Sequence, residues 1–221
     1  MSNKLPNKTI ASTGFWAAVF MAIFLIGCGP LAVLFASLPW FKYEIIQRFS
    51  LIPGLLLAPT FIILMTSLHY YAPESKKIFT QIGISFAVVF AVMVGFSYYL
   101  QLTMVHQYGI IGNKQAITIL SMANPRSLYW IIEMFAYGFL GMATLVIAPI
   151  FKDGKLDNLI QRSMIINGVV SIASMIYYVI NPDMTLQIIG LIGYVVWNII
   201  FLTLLILLSV FFKRAKSNKW E

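Results

Sequence analysis

One acidic residue stands apart from the others because of its surroundings. Glu133 is the only carboxylate inside any of the long apolar segments of this 221-residue chain. An ionisable group at membrane depth is costly to bury, and such groups commonly mark ion or proton pathways. Glu133 is therefore the leading candidate for a group that takes up a proton or holds a cation.

Two tyrosines are expected on the same helix face as this carboxylate. Tyr129 precedes Glu133 by four residues and Tyr137 follows it by four, and residues four apart are neighbours on a helix. Arg126 lies two turns earlier, and Gln101 ends the preceding apolar segment on the same side. The carboxylate either lines a cavity open to the outside, or pairs structurally with Arg126 or with tyrosine hydroxyls.

The last apolar segment carries a second buried polar group. Gly190, Tyr194 and Asn198 recur every four residues, which places Asn198 near the middle of the segment on one helix face. An amide at this depth either bonds a neighbouring helix, for less than about 2 kcal/mol, or lines a site. The predicted substrate- or proton-binding residues are Glu133, Gln101, Tyr129, Tyr137 and Asn198.

The other reactive side chains do not predict a metal, a cofactor or a catalytic centre. Cys28 is the only cysteine, and His69 and His106 are too few and too far apart to form a metal site. No phosphate-binding loop or dinucleotide-binding turn is present. Because the acidic residues are scattered, an enzyme is disfavoured, including one that acts on lipid within the membrane.

The composition predicts an all-α membrane protein with a single domain over residues 1–221. The chain is 60% hydrophobic and 10% charged, whereas soluble domains carry about 25% charged residues. A helix needs about 20 apolar residues to cross a bilayer. Six spans are predicted, of which the fifth is the shortest; they lie at about 14–38, 49–72, 78–100, 127–151, 163–180 and 185–212.

The basic residues predict the orientation of these spans. The net charge is +8, but lysines and arginines flank apolar segments rather than forming a patch, which favours membrane lipid over nucleic acid as the partner. The side shared by both termini carries eleven of them, and the other side carries four: Lys42, Arg48, Lys114 and Arg126. The positive-inside rule then puts both termini in the cytoplasm of a bacterium, with the protein in the cytoplasmic membrane.

Local patterns predict how some helices break, begin and pack. Residues 27–30, with the sequence Gly-Cys-Gly-Pro, predict a break in the first span because proline removes a backbone donor. Asn124 and Pro125 are typical of an N-cap and a first helical residue. Residues 115–122 predict a short surface-lying or re-entrant segment in the longest connection.

A stripe of small residues in the third span predicts a close helix contact. Gly83, Ala87, Ala91 and Gly95 recur every four residues, and small side chains let helices approach closely in lipid. The stripe is expected to face a neighbouring span. It is also the predicted surface for a second copy of the chain or for another membrane protein.

Faint landmarks suggest an inverted repeat of three plus three spans. Residues 39–42 and 149–152 share the pattern Pro-x-Phe-Lys, and inverted repeats recur in secondary transporters. The break at residues 27–30 would then correspond to Gly138 and Gly141. Alternatively, span ends simply reuse proline, lysine and arginine.

Three stretches together resemble a pattern in an uncharacterised family of bacterial multi-span membrane proteins. They are residues 69–74, residues 98–102, and the set Asn124, Pro125, Trp130, Glu133, Tyr137 and Gly138. The resemblance covers most of the chain and implies the membrane fold, but it implies no activity.

Three functions remain open from the sequence. The first is a small secondary transporter or permease that uses Glu133. The second is a non-catalytic accessory, immunity or assembly subunit of a membrane complex. The third, least favoured, is a membrane-embedded lipid enzyme.

Overall fold

All regular structure in the described part of the protein is helical. The computed structural model describes residues 8–31, 34, 43–105, 107, 111–152 and 154–217, with backbone alone for 43–48 and 186. These ranges contain seven α-helices: α1 Lys8–Ile26, α2 Tyr43–Tyr71, α3 Lys77–Leu100, α4 Lys114–Leu120, α5 Leu128–Ile147, α6 Lys155–Ile180 and α7 Ile188–Lys216. The all-helical prediction is confirmed.

Every helix except α4 is long and apolar enough to cross a membrane, which makes six candidate spans. Four of them extend several residues beyond the predicted spans: α1 begins at Lys8, α2 at Tyr43 and α6 at Lys155, and α7 ends at Lys216. Helical hydrogen bonds continue past the point where the side chains become charged. The prediction that the fifth span is the shortest is therefore wrong, because α6 has 26 residues whereas α5 has 20.

The six long helices form a closed ring. Each packs against its neighbours in chain order, with α3 followed by α5, and α7 returns to pack against α1. Short connections favour such antiparallel neighbours. The short helix α4 lies outside the ring, between α3 and α5.

Contacts between connections define the two ends of the ring. At one end, here called the basic end, the Lys76 ammonium donates to the carbonyl of Pro149, and Lys216 lies 3.4 Å from the Ser12 hydroxyl. The opposite end, here called the α4 end, carries the connections before α5 and before α7. The described connections therefore alternate between the two ends, as expected for six antiparallel helices.

An ion pair joins the two connections at the α4 end. The Arg126 guanidinium donates to both carboxylate oxygens of Asp183, at 3.1 and 2.7 Å. The hydrogen bonds from Arg126 lower the pKa of Asp183 below its ordinary value. The Tyr178 hydroxyl also donates to the carbonyl of Pro125, at 2.7 Å. The start of α5 is therefore tied to the end of α6 and to the connection that follows it.

Five aromatic side chains fill the middle of the ring. Their centroids form a closed circuit with successive distances of 5.5, 5.3, 5.0, 5.1 and 6.5 Å. These residues, here called the aromatic layer, are in order Phe61, Phe90, Tyr137, Trp197 and Phe201. Because they come from α2, α3, α5 and α7, the layer holds opposite sides of the ring together through edge-to-face and stacked contacts.

Small residues bring neighbouring helices into close contact, as the stripe in α3 predicts. Gly83 and Ala87 are buried, and Gly83 lies against Ile147 and the carbonyl of Ala143 in α5. Gly95 instead faces Leu55 of α2. This face packs within the chain, so Gly83 and Ala87 are not on a surface that a partner protein reaches.

The predicted break in the first span is confirmed, but a corresponding break in α5 is not. Gly27–Leu31 forms a π-helical turn that contains Pro30. In contrast, α5 runs without interruption through Gly138 and Gly141. Both glycines lie against α6, where Gly141 meets Ser171 and Gly138 meets Met175, so their role there is close packing.

The fourth span begins where it is predicted, at about residue 127, but the predicted N-cap, Asn124, is wrong by three residues. Leu128 begins α5, and Ser127 occupies the N-cap position. Asn124 instead closes a turn, since its side-chain oxygen accepts from the backbone N–H of Arg126 at 3.1 Å. The short segment predicted at residues 115–122 is the helix α4 and the turn that follows it.

Replacing Gly168 with alanine is expected to destabilise the protein. A Cβ at Gly168 would lie 2.8 Å from the carbonyl oxygen of Gly141 and 2.7 Å from the Cβ of Leu145, and backbone cannot move aside as a flexible side chain can. We expect a loss of about 1–3 kcal/mol, typical of overpacking, measured as a lower unfolding temperature in detergent. Gly193→Ala is the matched control, because nothing lies within 4 Å of its Cβ. Gly193→Ala should be neutral or stabilising by about 0.5–1 kcal/mol, and equal losses in both variants would contradict the packing.

The pair of Arg126 and Asp183 predicts a small, pH-dependent contribution to stability. Because the pKa of Asp183 is lowered in the folded protein, the contribution is complete above its unfolded pKa of about 3.9 and is lost as the pH falls through the lowered value. Arg126→Gln should therefore unfold at a slightly lower temperature than wild type at pH 7, with the difference vanishing in acid. Added salt should reduce the difference as well. A difference that persists in strong acid would mean that Arg126 acts through another contact.

Candidate functional site

The Glu133 side chain points into the ring near its α4 end. It lies five residues after the start of α5, or about 8 Å along the helix at about 1.5 Å per residue. The residue is only 6% exposed. Its carboxyl group therefore lies in an environment that lacks bulk water.

One oxygen of this carboxyl group is bonded and the other is not. The Tyr98 hydroxyl donates to Oε1 of Glu133 at 2.6 Å. The second oxygen, Oε2, is buried and has no hydrogen-bond partner within the part of the chain that the structure describes. The predicted pairing with Arg126 is wrong, because Arg126 is bonded to Asp183. Glu133 does pair with a tyrosine hydroxyl, but the donor is Tyr98 of α3 and not Tyr129 or Tyr137 of its own helix.

The predicted tyrosines surround this hydrogen bond. The ring of Tyr129 stacks on that of Tyr98 with centroids 6.1 Å apart. The Tyr137 hydroxyl lies 3.4 Å from that of Tyr98. Tyr129 and Tyr137 are therefore near Glu133, as their spacing predicts. Both contact Tyr98, which in turn donates to Glu133.

Sequence reasoning missed Tyr98, although a signal was present. Tyr98 lies eleven residues after Ala87, which is about three helical turns, so it extends the small-residue face of α3. Its neighbour Tyr99 is 60% exposed, whereas Tyr98 is 5% exposed. Helical spacing from the small-residue stripe therefore distinguishes the buried tyrosine of this pair from the exposed one.

The π-helical turn after α1 forms another side of the site. The Ser50 hydroxyl of α2 donates to the carbonyl of Cys28 at 3.0 Å. A Cβ at Gly29 would lie 2.6 Å from Oδ1 of Asn198 and 3.1 Å from the Tyr194 hydroxyl, so only glycine lets this turn approach α7 so closely.

Asn198 carries a second unpartnered oxygen. Its amide nitrogen donates to the carbonyl of Tyr194 in its own helix, at 2.8 Å. Its Oδ1 is buried without a hydrogen-bond partner among the described residues, and Asn198 is 6% exposed. Asn198 therefore does not bond a neighbouring helix through either end of its amide in this part of the structure.

Gln101 does not join Glu133, contrary to the expectation from the sequence. Its amide nitrogen donates to the carbonyl of Leu120 at 2.5 Å, and its oxygen accepts from the N–H of Met122 at 3.1 Å. The Trp130 indole donates to the carbonyl of Met122 at 2.8 Å. Gln101 and Trp130 thus anchor α4 and the turn after it, residues 114–127, here called the cap segment.

The polar side chains lie between the cap segment and the aromatic layer. Along α5, Trp130 bonds the cap segment, Glu133 follows one turn deeper, and Tyr137 of the aromatic layer follows after another turn. Cys28, Tyr137 and Trp197 are only partly buried. We call Cys28, Tyr98, Tyr129, Glu133, Tyr137, Tyr194 and Asn198 the polar cluster.

The polar cluster has acidic and hydrogen-bonding character without a cation. Within the described residues, the two ion pairs are Lys77 with Glu74 and Arg126 with Asp183, and neither includes Glu133. The Tyr98 hydroxyl bonds the carboxyl group and the Tyr137 hydroxyl lies next to that of Tyr98, whereas the Cys28 thiol donates to the carbonyl of Leu25. This arrangement can exchange a proton or accept a small cation.

Removing the Tyr98 hydroxyl should destabilise the protein more than removing that of its neighbour. Tyr98→Phe leaves Oε1 of Glu133 without its donor, which we expect to cost about 1–3 kcal/mol in the free energy of unfolding. Tyr99→Phe is the matched control because Tyr99 is exposed, and it should have little effect. Adding Glu133→Gln to Tyr98→Phe should cost less than the sum of the two single changes; an additive result would show that the two side chains are not coupled.

No protein-family model, curated protein or solved structure matches this chain.

Proposed function

We propose that the protein is a small secondary transporter or permease whose coupling proton is carried by Glu133. Six helices long enough to span a bilayer surround the polar cluster. The distribution of lysines and arginines supports a bacterial cytoplasmic membrane with both termini inside.

A single observation carries the proposal: within the described structure, Glu133 is buried with one oxygen unpartnered and no cation paired with it. An ionised carboxylate costs several kcal/mol to bury unless it is paired and fully bonded, and Tyr98 supplies only one hydrogen bond. A purely structural role would be served by a neutral amide or a second tyrosine. Retaining a carboxyl group here supports a step in which it binds and releases a charge.

The surroundings of Glu133 suggest how access is controlled. The cap segment covers the site from the α4 end, and the aromatic layer separates it from the basic end. The π-helical turn with Pro30 interrupts α1 beside the site, and interrupted helices are common at transport sites. Movement of this turn and of the cap segment would open the site to one side, while movement of the aromatic rings would open it to the other.

An inverted repeat of α1–α3 and α5–α7 fits this proposal in part. Two three-helix units would meet around the polar cluster, as transporter repeats do. The break in α1 has no equivalent in α5. The two units would therefore share the order of their helices but not the break in the first helix.

A second candidate is a non-catalytic subunit of a membrane complex. It is favoured by the stacked aromatic side chains of Trp16 and Phe20, which are about half exposed along α1. Affinity purification from the native membrane would return a stoichiometric partner if this candidate is correct, and Trp16→Ala with Phe20→Ala would release it. A homo-oligomer would use the same exposed surface.

The transport proposal predicts that Glu133→Gln abolishes solute-induced proton movement without unfolding the protein. The amide has the shape of the carboxyl but cannot release a proton at physiological pH. Purified protein is placed in liposomes containing a pH-sensitive dye, and a panel of small cations, anions and neutral solutes is added outside. At least one solute should change the internal pH with wild type and none with Glu133→Gln.

Asp183→Asn is the control for this experiment, because it removes a carboxylate that lies outside the polar cluster. It should transport as wild type does. Proton movement that is unchanged in Glu133→Gln would rule out Glu133 as the proton carrier. If no solute in the panel moves protons with wild type, the subunit candidate is favoured.

A further inference from the structure

We propose that the ligand of the polar cluster is a small primary or secondary ammonium ion, which exchanges with the proton on Glu133. This inference rests on the proposed transport function and specifies the chemical class of its substrate. Three observations support it: two buried oxygens without hydrogen-bond partners among the described residues, the aromatic side chains around the site, and the single hydrogen-bond donor to the Glu133 carboxyl group.

Both unpartnered polar atoms in the polar cluster are acceptors. Oε2 of Glu133 and Oδ1 of Asn198 are each buried and lack a donor within the described structure. Leaving a buried acceptor unsatisfied is costly, so a ligand that fits here must bring N–H or O–H donors. An anion or an aprotic solute would leave both oxygens unpaired.

Asn198 Oδ1 lies against the π-helical turn after α1. A Cβ at Gly29 would lie 2.6 Å from this oxygen, so the backbone of the turn covers it. Movement of the turn away from α7 would uncover Asn198 Oδ1, so that one ligand could donate to α5 and α7 together. Because Gly29 packs this closely, the space opened by such a movement suits a small head group.

The walls of the polar cluster favour a cation over a neutral donor. The faces of aromatic rings attract cations, most strongly where water is excluded. Tyr98 and Tyr129 stack beside Glu133, and Tyr137 and Trp197 are in contact one turn deeper. Because none of the described lysines, arginines or histidines pairs with Glu133, the carboxylate is available to an incoming cation.

The hydrogen bond from Tyr98 makes the proton and the ammonium ion compete for one atom. Tyr98 occupies Oε1 of Glu133, so a proton on this carboxyl group lies on Oε2. An ammonium ion that donates to Oε2 can bind only after that proton has left. One positive charge enters as one leaves, no covalent bond to carbon changes, and the charge of the site is conserved.

The test uses the purified full-length protein and compares two small organic cations that differ in their N–H donors. Ethylammonium donates three hydrogen bonds from nitrogen, whereas tetramethylammonium donates none. Isothermal titration in two buffers with different heats of ionisation reports both the affinity and the protons released. We expect ethylammonium to bind with release of up to one proton, and tetramethylammonium to bind about tenfold more weakly or worse, as the loss of a charge-assisted hydrogen bond implies.

Two variants locate the site. Glu133→Gln should abolish both ethylammonium binding and proton release. Asn198→Val should weaken binding about tenfold while proton release per bound ion persists, since Asn198 does not titrate. Asp183→Asn should change neither quantity. The comparison of the two cations on wild type needs no variant, so it remains decisive if either substitution prevents folding.

The outcomes separate this inference from the proposed function. Equal affinity for the two cations, or ethylammonium binding without proton release, would overturn the ammonium exchange. If ethylammonium does not bind but another solute moves protons through Glu133, the ammonium inference fails and the transporter stands. If ethylammonium binds with proton release but crosses no liposome membrane, the binding site stands and the transport function fails.

Discussion

The hydrogen bond from Tyr98 to Glu133 is the interaction on which the arrangement of the site depends. It is a single bond between two helices that are adjacent in the ring, made where water is scarce and where an uncompensated charge is expensive. Because it engages one carboxyl oxygen, it leaves the other without a hydrogen-bond partner among the described residues. The chemistry proposed for this protein follows from that asymmetry.

The rest of the fold keeps this carboxyl group apart from both ends of the ring. The aromatic layer needs side chains from four helices to close, so it forms only when α2, α3, α5 and α7 have packed together. The cap segment is held by Gln101 and Trp130, whose hydrogen bonds go to its backbone. Gln101, which the sequence suggested as a ligand, therefore contributes by holding the cover in place.

The π-helical turn after α1 places irregular backbone beside the polar cluster. The π-helical turn brings Gly29 against α7 and leaves the carbonyl of Cys28 to accept from Ser50. A regular helix through Pro30 would lack one donor and would place these groups differently. A second π-helical segment, Gln101–Val105, follows α3, but the turn at residues 27–31 is the one packed against Asn198, and the proposed opening of the site would move it.

The sequence by itself determined the helical class, the six apolar segments, the break at residues 27–30 and the isolation of Glu133. These depend on composition and on spacing along one helix, and both can be read from a single chain. It also placed Tyr129 and Tyr137 near Glu133, since all three share a helix. Only the tertiary structure decided that Tyr98 donates to Glu133, that Arg126 binds Asp183, and that Gln101 holds the cap segment. Those pairings join helices or connections far apart in sequence, and they depend on how the helices rotate and pack in the ring, which no local spacing specifies.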